Sequence, residues 1–150
     1  MYPQLNFLDI NVPLIKKGNT FFLADPVRKK EVVAQPEEWV RQHMIHFLKE
    51  KKGFPFSYMN LEFPLKYGKL NKRSDLLVYD KELRPILLSE FKSFNVKLSN
   101  ETFLQAANYN HILKVPYLLI SNGFNHHIAK INFETNAILF LDEIPNYSAL

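Results

Sequence analysis

Cysteine is absent from this 150-residue chain, which excludes disulfides and thiolate metal sites and fits a reducing, cytoplasmic setting. No run approaches the ~18 consecutive apolar residues of a membrane span, so no membrane association is expected. The opening MYPQLNFLDINVPL has neither the basic region nor the long apolar core of a signal peptide. Internal repeats and low-complexity tracts are missing as well. Charge of one sign is scarce: the net charge of +4 leans mildly toward anionic partners and is far from a basic tail. What remains is ordinary globular composition, 47% hydrophobic and 23% charged, at the length of one domain with room for a real core.

Residues 1–35 read as an extended, β-leaning lead-in. Gly18-Asn19 is placed to turn a hairpin between Val12–Lys17 and Thr20–Ala24, and Asp25-Pro26 breaks the chain again. Pro36 suits a first helical position, with Glu37 and Glu38 in the acidic first turn. Val40, Met44, Phe47 and Leu48 recur at helical spacing until Lys51, Lys52 and Gly53 close the segment. Strands are expected over Tyr58–Tyr67, where Pro64 suggests an edge or a bulge, and over Arg73–Asp80 and Pro85–Lys92. A second helix follows at about Asn100–Lys114, capped by Ser99 or Asn100. Val115–Ser121 is an apolar run suited to a strand buried on both faces. After the Asn122-Gly123 turn, Ile128–Phe133 and Ala137–Leu141 read as a closing antiparallel pair. The order predicts an α/β or α+β sandwich with a mixed central sheet and helices packed on it.

The chemistry concentrates in the hairpin of Arg73–Asp80 and Pro85–Lys92. Pairing Asp80 with Pro85 counts back to 79 with 86, 77 with 88 and 75 with 90. Asp75 and Glu90 then face each other with Cβ atoms roughly 5 Å apart, and Lys92 projects from the same face. Like charges opposed across a sheet are destabilising, so a proton, a cationic side chain or a metal ion must offset them. Paired hard oxygen donors suit Mg²⁺ or Mn²⁺, which bind through one or two carboxylates, waters and a substrate phosphate. The plainer alternative is a structural carboxylate–lysine ion pair at a strand end.

Asp75 and Glu90-Phe91-Lys92 on successive strands, with a helix before and after, resemble the PD-(D/E)-x-K nuclease fold. Gln105-Ala-Ala-Asn-Tyr109 is similar to the Q-x-x-x-Y signature of its exonuclease-like branch. Pro36-Glu-Glu-Trp-Val-Arg-Gln42 and Pro116-Tyr-Leu-Leu-Ile-Ser-Asn-Gly123 resemble the N-terminal nuclease domain of type I restriction enzyme R subunits, in its short stand-alone form. The resemblance covers roughly residues 20–143; the leading Pro-Asp of the motif is Ser74-Asp75 here. It implies a restriction-endonuclease-like fold, a mixed central β-sheet flanked by helices, with residues 36–145 as a nuclease-like core behind the 1–35 extension. It implies Asp75 and Glu90 as ligands of Mg²⁺ or Mn²⁺, the Phe91 carbonyl as a further ligand, and Lys92 positioning the hydrolytic water. DNA would be the substrate, and restriction-system subunits or a second copy the partners. No Walker-type G-x-x-x-x-G-K-[ST] is present, so ATP-driven translocation is not expected of this polypeptide alone.

Further candidates carry plainer alternatives. Gln105 and Tyr109 share a helix face and could contact the phosphodiester or hold Lys92; otherwise they are a solvated Gln and a half-buried Tyr. Glu37 shares a face with Val40, Met44 and Leu48 and is the expected first-helix acidic residue, with Glu38 left open; both could simply complement the helix dipole. Arg28, Lys29, Lys30 and Arg73 could receive phosphates along a DNA path, or be solvated surface charges. Glu62 is a candidate support for the site, or an exposed edge-strand carboxylate. His126 and His127 point to opposite faces and read as exposed histidines rather than a metal pair. Trp39, Tyr58, Tyr67 and Phe103 read as core. The rival to a nuclease is a non-catalytic nucleic-acid-binding or assembly module on the same scaffold.

Overall fold

The computed structural model describes residues 2–67 and 70–150, excluding the side chains of residues 65, 67 and 70–72. The expected core role of Tyr67 therefore lies outside the described residues. An antiparallel three-stranded sheet comes first: β1 (Ile15–Lys17), β2 (Thr20–Asp25) and β3 (Lys30–Val33). Gly18 at φ 62° makes the β1–β2 turn, with Lys17 opposite Thr20, as the sequence suggests. Strand β3 is an addition to the expected order. Its four residues alternate too briefly to register as a period.

Helix α1 spans Pro36–Lys52 and ends on Gly53 in the left-handed conformation, φ 74°. The central sheet has the order β4-β5-β6-β7-β8-β9. Its strands are β4 (Met59–Tyr67), β5 (Leu70–Tyr79), β6 (Pro85–Phe91), β7 (Tyr117–Ser121), β8 (His126–Asn132) and β9 (Ala137–Leu141). Pro64 is tolerated because β4 is an edge strand, where a missing N–H breaks no ladder on the open side. Strands β6 and β7 run parallel through the crossover helix α2 (Asn100–Leu113), and the remaining neighbours are antiparallel. All five residues of β7 are buried, as an apolar strand covered on both faces must be.

Alternation along the strands sorts the core into two layers. Leu76, Val78, Leu87, Phe91 and Leu119 pack with Val40, Met44 and Leu48 of α1. Leu77, Leu88, Leu118 and Ile120 pack with Ala106 of α2 on the other face. Trp39 belongs to the first core and Phe103 packs against the second, whereas Tyr58 is half-buried beside Tyr147. The N-terminal segment is more than a lead-in: Leu5, Phe7, Val12, Leu23 and Ala34 enter the α1 core. Helix α1 is consequently covered on two sides, by the central sheet and by the N-terminal sheet.

Candidate functional site

Double coverage of α1 decides which of its polar side chains reach the interior. Glu38, Arg41, Gln42 and Ile45 recur at i, i+3, i+4 and i+7, a second stripe beside the one read from Val40, Met44 and Leu48. Arg41, Gln42 and Ile45 are buried along it, and Glu38 is half-buried. Glu37 is exposed. The face assigned to Glu37 from the sequence is thus corrected: Glu38 is the first-turn carboxylate that enters the interior, because the N-terminal sheet covers its side.

Asp75 sits on β5 one residue beyond the last pair of the antiparallel ladder with β6. The register pairs Leu77 with Leu88, as the hairpin reading expects, and its last pair is Leu76 with Ser89, one step short of Asp75 and Glu90. The turn end differs. A bulge between Val78 and Tyr79 places Tyr79, not Asp80, opposite Pro85. Asp80 instead folds the turn, its Oδ1 accepting the Glu82 and Arg84 amides, each at 2.9 Å.

Two contacts fix the Asp75 carboxylate. Oδ2 accepts the N–H of Phe91 at 2.6 Å, which ties Asp75 to the middle of Glu90-Phe91-Lys92. Oδ1 accepts from Nη2 of Arg41 at 3.2 Å. Nη1 of the same guanidinium reaches Oε1 and Oε2 of Glu38 at 3.1 and 3.2 Å, and Oε1 of Glu62 at 3.7 Å. Glu62 lies between Leu61 and Phe63, which pair with Leu76 and Ser74, and adopts φ 54°. A non-glycine residue held there is strained, and the ion pairs around it are what the fold gains in return. Glu62 is therefore part of the cluster, although its side chain is 43% exposed.

Arg28 joins from the N-terminal sheet. It binds Asp25 and Glu38 closely and Oε2 of Glu62 at 3.4 Å. Burial works against its charge, but the bonds to Glu38 and Asp25 more than offset this and raise its pKa. The expectation that Arg28 waits on a DNA path is corrected: its side chain is only 16% exposed and is committed to carboxylates. Arg73, Lys29 and Lys30 are exposed.

Glu90 is 7% exposed, and Lys92, just past the end of β6, is half-buried with its backbone N–H donated to Ser121 at 2.9 Å. Gln105 is exposed and Tyr109 half-buried on α2. His127 is exposed, but His126 is not a free surface histidine. Its Nδ1 lies 2.7 Å from Ser121 Oγ and its Nε2 2.9 Å from the Asn6 carbonyl. Sequence reasoning missed Arg41, whose only signal was the stripe it shares with Glu38 and Ile45.

Among the described residues no three His, Cys, Asp or Glu side chains gather as a metal-binding group. The residues that would hold an ion are Asp75 and Glu90, two carboxylates on neighbouring strands, and that number fits Mg²⁺ held mainly by waters and a phosphate. Among the described residues, buried polar atoms with no protein partner adjoin the site along the chain: Arg41 Nε, both side-chain amide atoms of Gln42, and the hydroxyls of Ser74 and Ser89. Each belongs to Arg41 itself or to the chain neighbour of Arg41, Asp75 or Glu90.

A family model described as the type I restriction enzyme R protein N terminus (HSDR_N) matches residues 36–145. Among solved structures, a fragment described as an HsdR subunit of a type I restriction enzyme from Vibrio vulnificus YJ016 is similar in fold. It is 19% identical with a TM-score of 0.53, over 75% of this chain and 24% of that one. The chain thus spans about a quarter of that relative's length. No curated protein matches it.

Proposed function

The chain belongs to the family of type I restriction enzyme R protein N termini, and from that premise we propose that it is a divalent-metal-dependent nuclease of the PD-(D/E)-x-K type acting on DNA. The observation that carries this reading is the 2.6 Å bond from the Phe91 N–H to Asp75, which brings the carboxylate onto the Glu90-x-Lys92 segment. Asp75 and Glu90 would hold Mg²⁺ or Mn²⁺. When bound, the ion supplies charge for a phosphoryl oxygen and lowers the pKa of a water.

The chain's own residues do the positioning. Asp75 is held by backbone from β6 and by a guanidinium from α1, so its carboxylate is oriented before any substrate arrives. Lys92, two residues beyond Glu90, would orient the attacking water and stabilise charge on the phosphate. Restriction-system subunits are the partners this reading calls for.

Plasmid and single-strand cleavage with Mg²⁺ or Mn²⁺, comparing the wild type with Asp75→Ala and Lys92→Ala, tests the proposal. Loss of cleavage in both variants supports it, and equal cleavage by all three proteins defeats it. One observation favours a second reading, a non-cleaving DNA-binding module on this scaffold. Arg41 already supplies the cationic side chain that can offset the Asp75 charge without a metal. Salt-dependent DNA binding without turnover under any divalent ion would select that reading.

A further inference from the structure

We propose that Arg41 is the resident counter-cation of the Asp75 site, and that a divalent ion binds there by taking over Oδ1 from the Arg41 guanidinium. The inference rests on the metal reading above and adds the residue that sets how tightly the metal is held.

The contact geometry favours exchange over a permanent pair. Arg41 touches Asp75 through one nitrogen at 3.2 Å, without the two parallel bonds that make arginine–carboxylate pairs strong. Oδ2 of Asp75 is fixed independently by the Phe91 amide, so releasing Oδ1 leaves the carboxylate oriented. Arg41 does not depend on Asp75 either. Its Nη1 keeps both oxygens of Glu38 and the nearby Glu62. Neither partner is stranded when the contact opens, so the penalty for an uncompensated buried charge is not incurred.

Charge points the same way. Asp25, Glu38, Glu62 and Asp75 supply four carboxylates to this connected cluster against the two guanidinium groups of Arg28 and Arg41. The formal excess is two negative charges, which favours a cation at the adjoining Asp75. Arg28 is tied to Asp25, Glu38 and Glu62, and among the described residues Arg41 bridges that group to Asp75.

Calorimetric titration with Mn²⁺ tests this on the wild type, Arg41→Gln, Arg41→Lys and Asp75→Asn. The expected result is no uptake by Asp75→Asn and about tenfold tighter binding by Arg41→Gln than by the wild type, from removal of one competing positive charge at close range. Arg41→Lys, which keeps the charge but not the fork, falls between them. Should Arg41→Gln not fold, Arg41→Lys alone must bind more tightly than the wild type. A second readout separates exchange from a general charge effect. Mg²⁺ must shift the guanidinium NMR signal of Arg41 and leave that of Arg84, paired with Asp80 at the far hairpin end, unmoved. Asp75-dependent uptake that is unchanged or weakened in Arg41→Gln overturns this inference alone. No Mn²⁺ uptake by the wild type overturns both it and the metal reading.

Discussion

The Ser121 hydroxyl and Nδ1 of His126 lie 2.7 Å apart across the β7–β8 turn, and this pair fastens the N-terminal segment to the central sheet. Nε2 of His126 faces the Asn6 carbonyl at 2.9 Å, so Nε2 carries the proton and Nδ1 accepts from Ser121. The hydroxyl oxygen in turn accepts the Gly123 N–H at 2.9 Å. A second proton on the ring would take away the acceptor of a fully buried hydroxyl.

Acid should therefore loosen the fold before the carboxylates titrate. Burial lowers the pKa of His126, His43 and His46 below the ordinary imidazole value. Below about pH 6.5 the unfolded chain takes up protons that the folded chain refuses, so stability falls with pH. The contribution is complete above the unfolded value and is lost as pH drops through the folded ones. Urea midpoints from pH 7.5 to 5 should decline, and His126→Gln should decline less steeply. A flat profile over that range would show that these rings are not held neutral.

Gly123 makes a sharper mechanical prediction at the same turn. Its φ of 89° is unfavourable for any side chain, and a Cβ there would lie 2.8 Å from Leu5 Cδ2 and 3.2 Å from Val40 Cγ2. Leu5 can shift, but the backbone cannot. Gly123→Ala is expected to cost about 1–2 kcal/mol from the dihedral alone. Thermal melting should show a fall of several degrees, with Gly18→Ala, whose added Cβ meets nothing within 4 Å, as the control for backbone strain without crowding.

Asn110 clamps the end of α2 to the start of β7. Its Nδ2 donates to the Val115 carbonyl at 2.7 Å and its Oδ1 accepts the Val115 N–H at 2.9 Å, all fully buried. Asn110→Leu leaves two buried backbone groups unpaired, a loss of about 2–4 kcal/mol. Asn110→Asp keeps the acceptor and forfeits the donor. Denaturant unfolding should rank the wild type above both, and a loss below 1 kcal/mol in the leucine variant would show that the loop repairs itself.

Much of this arrangement is legible in the sequence where a local rule acts alone. Pro36 and Gly53 bound α1 by backbone preference, Ser99 caps α2 through the Thr102 amide, and VPYLLIS reads as a buried strand because a nearly continuous apolar run suits two covered faces. The hairpin register around Leu77 and Leu88 follows from alternation, even though the turn assumed for it was wrong by one residue. The bulge at Val78/Tyr79 absorbs that residue. What the sequence hides depends on packing between distant segments. Glu38, Arg41 and Gln42 look solvent-facing until the N-terminal sheet covers a second side of α1. Arg28 looks like a free cation until Asp25, Glu38 and Glu62 surround it. His126 looks exposed until Asn6, 120 residues away, arrives.

The contrast between Glu37 and Glu38 turns that lesson into a measurement. Both lie in the first turn of α1 and both complement its dipole, worth about 0.3–1 kcal/mol each. Glu38 additionally stands between two guanidinium groups with its side chain 11% exposed, whereas Glu37 faces solvent. Glu37→Gln should cost no more than the dipole contribution. Glu38→Gln removes the carboxylate that both Arg28 and Arg41 bond in a shielded site, and breaking such a pair costs about 3–5 kcal/mol when it is fully buried. The remaining partners Asp25, Glu62 and Asp75 reduce that, so about 2–3 kcal/mol is expected, or 4–12 °C in melting temperature for a chain of this size. Replacing Arg28 and Glu38 together, as Arg28→Met with Glu38→Leu, should not recover the loss, because the fully buried Asp25 side chain then loses its guanidinium partner. Equal melting of Glu37→Gln and Glu38→Gln would mean that the stripe through Glu38, Arg41 and Ile45 is not the buried one.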